Sequence, residues 1–293
     1  MPPEHCAGFC AIAGRPNVGK TTLLNRLVGV DLGAVTPKAQ TTRMRLAGIW
    51  SDEEAQIVFV DTPGLLEARN LLQESMRAEA EEALAGADVA VLVADAGRRS
   101  TLDAVASVAD PAADRHILCL NKADTVEPTA MRSLVGEARQ RWGTVVATVA
   151  TEGRGLEELR GAVKDRLPDS PPLYPEDQLA TAPLRFFAEE YVREACFLQL
   201  AEEVPYSVAV RVEAFREEED PLYISAVIYV ERSSQKGIVI GEGGKRIRGI
   251  GTEARRRIEA LVERPVYLDL WVKVLPKWRK KEHELRRLGF GRP

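Results

Sequence analysis

The chain has 293 residues, is 45% apolar and carries a net charge of −4, which is typical of a globular protein of about two domains. No run approaches the roughly 18 consecutive apolar residues of a membrane helix, and residues 1–5 lack the features of a secretory signal, so we expect neither. Four cysteines without a second pair at metal spacing indicate neither a disulfide framework nor a zinc site.

The net charge hides an uneven distribution along the chain. Residues 231–293 contain 17 basic and 8 acidic side chains, a net of +9, whereas residues 1–230 carry −13. A basic C-terminal region is typical of proteins that bind a polyanion, although a solvated charged surface produces the same count.

Short apolar runs alternate with helical periodicity over the first 165 residues. This pattern predicts an α/β fold, with a doubly wound, mostly parallel sheet covered by helices on both faces. The alternating segment Met44–Trp50 predicts an edge strand. The other predicted strands are Phe9–Ala13, Ile57–Val60, Val89–Ala94, Ile117–Leu120 and Val145–Val149, and the predicted helices are Asn25–Val28, Leu71–Leu84, Met131–Trp142 and Leu156–Leu167.

Residues 168–175 contain four prolines, which exclude a helix and predict an extended spacer. We therefore expect a first domain over residues 1–168, a proline-rich linker over residues 169–182 and a second, α+β domain over residues 183–293. The predicted elements of the second domain are the helices Leu184–Leu200 and Lys245–Val262 and the strands Ser207–Phe215, Tyr223–Val230 and Val266–Val274.

The segment GRPNVGKT, Gly14–Thr21, matches the phosphate-binding pattern G-x4-G-K-T between a predicted strand and a predicted helix. Backbone N–H groups of such a loop surround the β-phosphate, Lys20 contacts the β- and γ-phosphates, and the Thr21 hydroxyl is a Mg²⁺ ligand. The predicted nucleotide contacts here are Gly14, Arg15, Pro16, Asn17, Val18, Gly19, Lys20, Thr21 and Thr22.

The segment Asp61-Thr62-Pro63-Gly64 follows the next strand, so Asp61 is predicted beside the phosphate loop, where it holds Mg²⁺ through water. The Gly64 N–H is expected to meet the γ-phosphate. Between the two motifs lies the polar segment Gly29–Arg43. We expect Thr42, rather than Thr41, to reach Mg²⁺ only when a γ-phosphate orders this segment, which makes it a switch.

Asn121-Lys122-Ala123-Asp124 follows the Ile117–Leu120 strand and predicts a choice of guanine. The Asp124 carboxylate accepts hydrogen bonds from N1–H and the 2-amino group, and adenine would leave this buried carboxylate unpaired. Asn121 is expected to reach N7, and the Lys122 stem to cover the ring. Taken in order, the four motifs predict GTP and GDP as ligands.

These motifs resemble translation-factor-class GTPases, whose base loop usually contains Ser-Ala. The corresponding residues here are Val149, Ala150 and Thr151, so the serine is missing, but the Ala150 N–H can still meet guanine O6.

The residues that would promote hydrolysis depart from the Ras-like pattern, because Leu65 stands where Ras-like enzymes have a water-orienting glutamine. Hydrolysis is then either slow and dependent on a partner, or assisted by another group. Related GTPases without the glutamine use an asparagine at the position of Asn17 to bind K⁺, but Asn17 serves equally well as a cap of the loop. The catalytic candidates are Lys20, Thr42, Gly64 and Asn17.

The segment Gly241–Gly244 resembles the G-x-x-G loop of KH domains, which holds the backbone of single-stranded RNA beside an apolar groove. The carboxylate of Glu242 is expected to weaken that contact, and a helix-turn-helix without a ligand is the alternative. The predicted RNA contacts are Lys236, Ile240, Gly241, Glu242, Gly243, Gly244, Lys245, Arg246 and Arg248.

Three features of the C-terminal region have structural interpretations. Arg255–Arg257 are predicted to form a solvated helix face, and Tyr267 and Trp271 to pack in the core rather than stack on bases. The basic segment Trp278–Leu288 is predicted to be a solvated terminal helix rather than a membrane-binding one.

Together with Thr41-Thr42-Arg43 and the single linker, these residues resemble the Era family of bacterial GTPases with a type II KH domain, from Phe9 to Phe290. The resemblance implies a Mg²⁺-dependent GTPase that binds the 3′ end of 16S ribosomal RNA and assists processing and assembly of the small subunit. It also implies a cytoplasmic location with some peripheral membrane contact. We expect a monomer with slow hydrolysis; the alternative is an RNA-binding adaptor that keeps GTP as a structural ligand.

Overall fold

The computed structural model describes residues 5–290, so the outermost residues of the two expected domains, 1–4 and 291–293, lie outside the described part. The chain divides into two compact units. The first comprises residues 5–33, Thr42–Glu67 and Met76–Thr181, and the second Ala34–Thr41, Ala68–Ser75 and residues 182–290. None of the helices within residues 5–290 is long and apolar enough to cross a membrane.

A six-stranded sheet with the order β2-β3-β1-β4-β5-β6 forms the centre of the first unit. Every neighbouring pair is parallel except β2 and β3, which confirms the mostly parallel sheet and the alternating edge strand. The strands are β1 (Cys6–Gly14), β2 (Leu46–Ser51), β3 (Ala55–Asp61), β4 (Val89–Asp95), β5 (His116–Asn121) and β6 (Thr144–Ala147).

Five α-helices lie within residues 5–165, and one of them, Arg99–Ala106, was not predicted. The fourth begins at Pro128, three residues before the predicted start, because proline is well suited to the first turn of a helix. Trp142 lies beyond its end and is buried against Leu118 and Leu120. The helices are α1 (Lys20–Val28), α2 (Leu71–Gly86), α3 (Arg99–Ala106), α4 (Pro128–Arg139) and α5 (Leu156–Lys164).

The proline-rich segment lies along the first unit. The backbone N–H groups of Leu173 and Tyr174 donate to Gln56 Oε1 at 2.7 and 2.9 Å. The N–H of Ile49 on β2 donates to the carbonyl of Leu179 at 2.8 Å. These bonds extend the first unit to Thr181.

The second unit is an α+β arrangement around a three-stranded sheet, in which β7 and β8 are antiparallel and β8 and β9 parallel. Helix α9 and strand β9 have the bounds that the sequence predicts, because glycine precedes the helix and Pro265 precedes the strand. The elements are α6 (Leu184–Gln199), α7 (Val204–Ser207), β7 (Ala209–Arg216), β8 (Leu222–Val230), α8 (Ser233–Ile240), α9 (Lys245–Val262), β9 (Val266–Val274) and α10 (Glu282–Arg287).

Residues 34–41, part of the predicted switch, belong to the second unit and contact α6. The N–H of Val35 donates to Glu194 Oε1 at 2.9 Å. Lys38 Nζ donates to the carbonyls of Phe197 and Leu200, the latter at 2.6 Å. These carbonyls lie at the C-terminal end of α6, where a cation is favourable.

Predictions about the C-terminal region were partly wrong. Tyr267 and Trp271 are 57% and 58% exposed, because they lie on the opposite face of β9 from Leu270, which is beside α9. Arg257 is half-buried, since its guanidinium pairs with Glu194 and lies 4.6 Å from the ring centre of Tyr191, and only Arg255 and Arg256 are exposed.

The prediction of a solvated helix over Trp278–Leu288 is also wrong. A short 3₁₀ turn, Trp278–Lys280, precedes α10, with Lys281 between them. Trp278, Leu285 and Leu288 are buried, and Trp278 Nε1 donates to the carbonyl of Ser207 at 2.9 Å. The segment is therefore part of the core of the second unit.

Candidate functional site

The phosphate loop connects β1 to α1 through backbone positions that require glycine. A Cβ atom at Gly14 would lie 2.2 Å from the carbonyl oxygen of Val93. Gly19 has a φ of 97°, and a Cβ atom there would lie 2.4 Å from Asn121 Nδ2. The two glycines thus allow the loop to pass close to β4 and β5.

Asn17 also adopts the left-handed conformation, with a φ of 65°. Lys122 Nζ donates to its carbonyl oxygen at 2.7 Å. Asparagine tolerates this conformation better than most residues, which is a structural reason for its presence independent of any bound ion.

Lys20 is only 6% exposed, and its Nζ donates to the carbonyls of Gly14 and Arg15, each at 3.1 Å. Burial lowers the pKa of Lys20 to about 8, while the nearby Asp61 acts in the opposite direction. A cation held out of water in this way interacts strongly with an anion that enters the loop.

Two hydroxyl groups and one carboxylate meet beside the loop. Thr21 Oγ1 donates to Asp61 Oδ2 at 2.6 Å, and Thr42 Oγ1 lies 2.8 Å from Thr21 Oγ1 and 3.3 Å from Asp61 Oδ2. Thr41 is not part of this cluster, because its hydroxyl bonds to Thr36 and to the Lys38 carbonyl. The structure thus brings Thr42, and not Thr41, to Thr21 and Asp61.

The state of Asp61 shows that this cluster fits a hard divalent cation. Asp61 is fully buried; burial raises its pKa, whereas Lys20 and the hydroxyls of Thr21 and Thr42 lower it. Its Oδ1 atom is buried without a hydrogen-bond partner within residues 5–290. An all-oxygen set with an unsatisfied carboxylate oxygen is the chemistry that Mg²⁺ prefers.

The residues after β3 pack tightly against the phosphate loop. Thr62 Oγ1 donates to the carbonyl of Ile12, and the N–H of Leu65 to that of Gly14, both at 2.9 Å. A Cβ atom at Gly64 would lie 2.7 Å from Pro16 Cγ, so only glycine fits. Pro63 is buried, whereas Leu65 and Leu66 are half-buried and have no group that could orient water.

Asn121 connects three loops of the base site. Its Nδ2 donates to the carbonyl of Val18 at 2.9 Å, and its Oδ1 accepts from Thr148 Oγ1 at 3.0 Å and from the N–H of Ala150 at 3.1 Å. Asp124, predicted to be buried, is exposed on the short turn that follows β5.

Two residues of this site were missed by the sequence reasoning. Lys122 Nζ pairs with Asp95 Oδ2 at 2.8 Å, and Asp95 is 7% exposed at the end of β4. The position of Asp95 at the end of a strand could have indicated its place in the site, whereas no sequence pattern marked Thr148. The remaining predicted residues line the same loops: Arg15 and Thr151 are exposed, Thr22 is half-buried on α1, and Val18 and Val149 are buried.

The second candidate site is the glycine-rich loop between α8 and α9. Gly241, Gly243 and Gly244 all have positive φ values, of 72°, 55° and 75°. A Cβ atom at Gly241 would lie 2.8 Å from Arg246 Cβ. The loop is therefore a glycine-dependent turn between two helices, as predicted.

The basic residues of this loop have different roles. Arg246 donates to the carbonyl of Ile238 and Arg248 to that of Gly243, at 2.7 and 2.8 Å, so both support the loop backbone. Lys236, Lys245 and the acidic Glu242 are exposed, and Ile240 is half-buried. Ile238, which the sequence reasoning did not include, is 41% exposed and adds apolar surface beside the loop.

Two family models match the two parts of the chain. A family model described as a 50S ribosome-binding GTPase matches residues 9–122, and a KH domain model matches residues 203–279. Fold and site together define a P-loop GTPase followed by a KH domain. The chain is 42% identical to the GTPase Era proteins of Carboxydothermus hydrogenoformans and Nitratidesulfovibrio vulgaris, over 98% of each chain in both cases. The chain belongs to the Era family of GTPases.

Two solved structures are similar over nearly the whole chain. A variant of Aquifex aeolicus Era bound to GDP and AlF₄⁻ has a TM-score of 0.93. An Era complex with MgGDPNP and nucleotides 1506–1542 of 16S ribosomal RNA has a TM-score of 0.92. Each is 37% identical and covers 98% of this chain and 100% of its own.

Proposed function

We propose that this chain is a GTP-hydrolysing switch that binds the 3′ end of 16S ribosomal RNA and assists processing and assembly of the small ribosomal subunit. We assign GTP to a domain of residues 1–168 and RNA to a KH domain of residues 183–293. The cluster of Thr21, Thr42 and Asp61 beside the buried Lys20 carries the proposal. The similar Era complex with a GTP analogue and ribosomal RNA supports it.

The first domain would bind the phosphates through groups that are already in place. Lys20 contacts the β- and γ-phosphates, the loop N–H groups surround the β-phosphate, and the Gly64 N–H meets the γ-phosphate. Thr21, Thr42 and Asp61 would hold Mg²⁺, which when bound offsets the phosphate charge. Because Thr42 directly follows residues 34–41 in the chain, its engagement would link the γ-phosphate to that segment.

Guanine would be chosen by the loops that Asn121 connects. The Asp124 carboxylate accepts from N1–H and the 2-amino group, the Lys122 stem covers the ring, and the Asn121 amide reaches N7. The Ala150 N–H, now bonded to Asn121, would turn to guanine O6. Adenine has neither donor, so ATP would leave the Asp124 carboxylate unpaired. The base site therefore favours GTP over ATP.

We further propose that Asn17 helps to bind a K⁺ ion that accelerates an otherwise slow hydrolysis. The test is the GTPase rate in KCl and in NaCl, with Asn17→Gly as the variant, since glycine preserves the positive φ of this residue. We expect faster turnover in KCl and loss of the difference in Asn17→Gly, with GDP affinity retained. Equal rates in the two salts, or an unchanged potassium effect in the variant, would contradict it.

Leu65 favours a second candidate function, an adaptor that binds RNA and keeps GTP as a structural ligand. Single-turnover hydrolysis with and without an RNA containing the 16S 3′ end distinguishes the two. A switch shows measurable hydrolysis that RNA alters. An adaptor shows no measurable hydrolysis, with or without the RNA.

For the RNA itself, we propose that Lys236 and Lys245 contact phosphates while the glycines of the loop approach the sugar-phosphate backbone. Crosslinking in cells followed by sequencing should place reads at the 3′ end of 16S RNA. Lys236→Gln with Lys245→Gln should deplete those reads, whereas Lys277→Gln, on a loop outside this site, should not. Reads spread over unrelated RNAs would contradict the proposal. We expect the protein to be a cytoplasmic monomer, with any membrane association peripheral.

A further inference from the structure

Aromatic rings remain accessible on the open face of the sheet β7-β8-β9. Tyr267 and Trp271 are more than half exposed. Tyr223, opposite Tyr267 on the next strand, stacks on it with ring centres 5.8 Å apart and planes at 12°. We call these three residues the aromatic face. Exposed rings grouped on one sheet face are uncommon on protein surfaces that have no partner.

The C-terminal residues cover the opposite end of the same sheet face. The guanidinium of Arg287 lies 5.8 Å from the ring centre of Tyr229, and the buried Trp278 stacks on Phe290. Within residues 5–290, this cover leaves Tyr267 and Trp271 exposed to solvent. The aromatic face is therefore the part of this sheet face that the C-terminal residues do not cover.

The charge around the aromatic face is negative. Residues 213–220 and 263–273, which include the β7–β8 hairpin loop and β9, contain seven carboxylates and three basic side chains. Asp269 lies between Tyr267 and Trp271 in sequence and accepts a hydrogen bond from Trp271 Nε1 at 2.7 Å. The loop at residues 236–248 has the opposite balance, with four basic side chains and one acidic. A polyanion thus favours the glycine loop, and a polycation favours the aromatic face.

One guanidinium of this chain already lies on the aromatic face itself. Arg216 lies 4.7 Å from the ring centre of Tyr223 and pairs with Glu219 at 2.9 Å. A ring that covers the planar face and a carboxylate at the edge are what an arginine side chain needs. Trp271 and Tyr267, with Asp269 between them in sequence, provide the same two elements. Within residues 5–290, no arginine lies over either ring.

We propose that the aromatic face docks an arginine-rich segment of another protein. Guanidinium groups of that segment stack on Trp271 and Tyr267, and their charge is balanced by Asp269 and by the carboxylates of residues 217–220. This site is separate from the glycine loop and goes beyond the proposed RNA-binding function, so the protein could hold RNA and a basic polypeptide together.

The test is binding of a fluorescein-labelled peptide of six Arg-Gly repeats to the full-length protein, measured by anisotropy at low salt. We expect Trp271→Ala and Asp269→Asn each to weaken binding about fivefold. Leu198→Ala, at an exposed apolar residue of α6, and Glu53→Gln, at an exposed carboxylate of the first unit, are the matched controls and should bind as the wild type does. A peptide of six Glu-Gly repeats should not bind.

Two results would overturn the proposal. One is equal binding of the arginine peptide by Trp271→Ala, Asp269→Asn and the two controls, which would make the attraction non-specific. The other is an oligouridine of twelve nucleotides that displaces the peptide and loses affinity in Trp271→Ala, which would assign the aromatic face to single-stranded RNA. Because Trp271 is exposed, its replacement leaves the core intact, and far-UV circular dichroism verifies the fold.

Discussion

Replacing Asn121 with alanine should destabilise the first unit strongly, although the residue is small and lies at the end of a strand. Asn121 is 2% exposed and makes three hydrogen bonds, to the Val18 carbonyl, the Thr148 hydroxyl and the Ala150 N–H. Truncation leaves the Val18 carbonyl and the Ala150 N–H buried and unpaired, at about 1–3 kcal/mol each. The expected loss is therefore about 2–6 kcal/mol, a large part of the stability of a typical domain.

The assay is urea unfolding without nucleotide, followed by circular dichroism and tryptophan fluorescence. The transition of the first unit should move to lower urea, while that of the second unit stays in place as an internal control. Thr148→Val is the graded control, because it removes one of the three bonds and should cost about 1 kcal/mol. A change below about 0.5 kcal/mol in Asn121→Ala, or an equal effect of the two variants, would refute the reasoning.

Three further predictions concern other parts of the molecule. Burial lowers the pKa of Lys20 to about 8, and bound phosphates raise it again, so GDP binding at pH 8 should take up about half a proton. Calorimetry in buffers of different ionisation enthalpy measures this proton uptake. A binding reaction without proton uptake would contradict the prediction. Gly241→Ala places a Cβ atom 2.8 Å from Arg246 Cβ, whereas the Cβ atom of Gly243→Ala has no neighbour within 4 Å. In a filter-binding assay, Gly241→Ala should therefore reduce RNA affinity about tenfold more than Gly243→Ala does. Because Lys38 bonds to carbonyls at the C-terminal end of α6, we expect residues 34–41 to make RNA affinity higher with GTP than with GDP. Lys38→Ala should reduce this difference in a binding assay, and an unchanged ratio of the two affinities would contradict it.

The first sheet and its site were predictable because local signals and global fold agree there. Apolar strands that end in glycine or a polar residue place Gly14, Asp61 and Asn121 at one edge of a parallel sheet, as the structure has them. The hydrogen bond between Asn121 and Thr148 and the pairing of Asp95 with Lys122 were not predicted, since neither Thr148 nor Asp95 belongs to a recognised motif.

The errors in the second unit have a common physical cause. Alternation in β9 shows that Tyr267 and Trp271 share a face, but it does not show whether another layer covers that face. The same holds for Trp278 and Leu285, whose burial depends on the C-terminal residues returning to the sheet. Arg257 differs from Arg255 and Arg256 only because it faces Glu194 on α6, a contact between distant parts of the sequence.

We propose that one pocket of the first unit binds phosphates at one end and selects guanine at the other. The decisive experiment is isothermal titration of the nucleotide-free protein with GDP and with ADP in Mg²⁺. We expect GDP to bind at least about a thousandfold more tightly than ADP, because only guanine satisfies the Asp124 carboxylate. Equal affinity for the two nucleotides, or no binding of either, would contradict it.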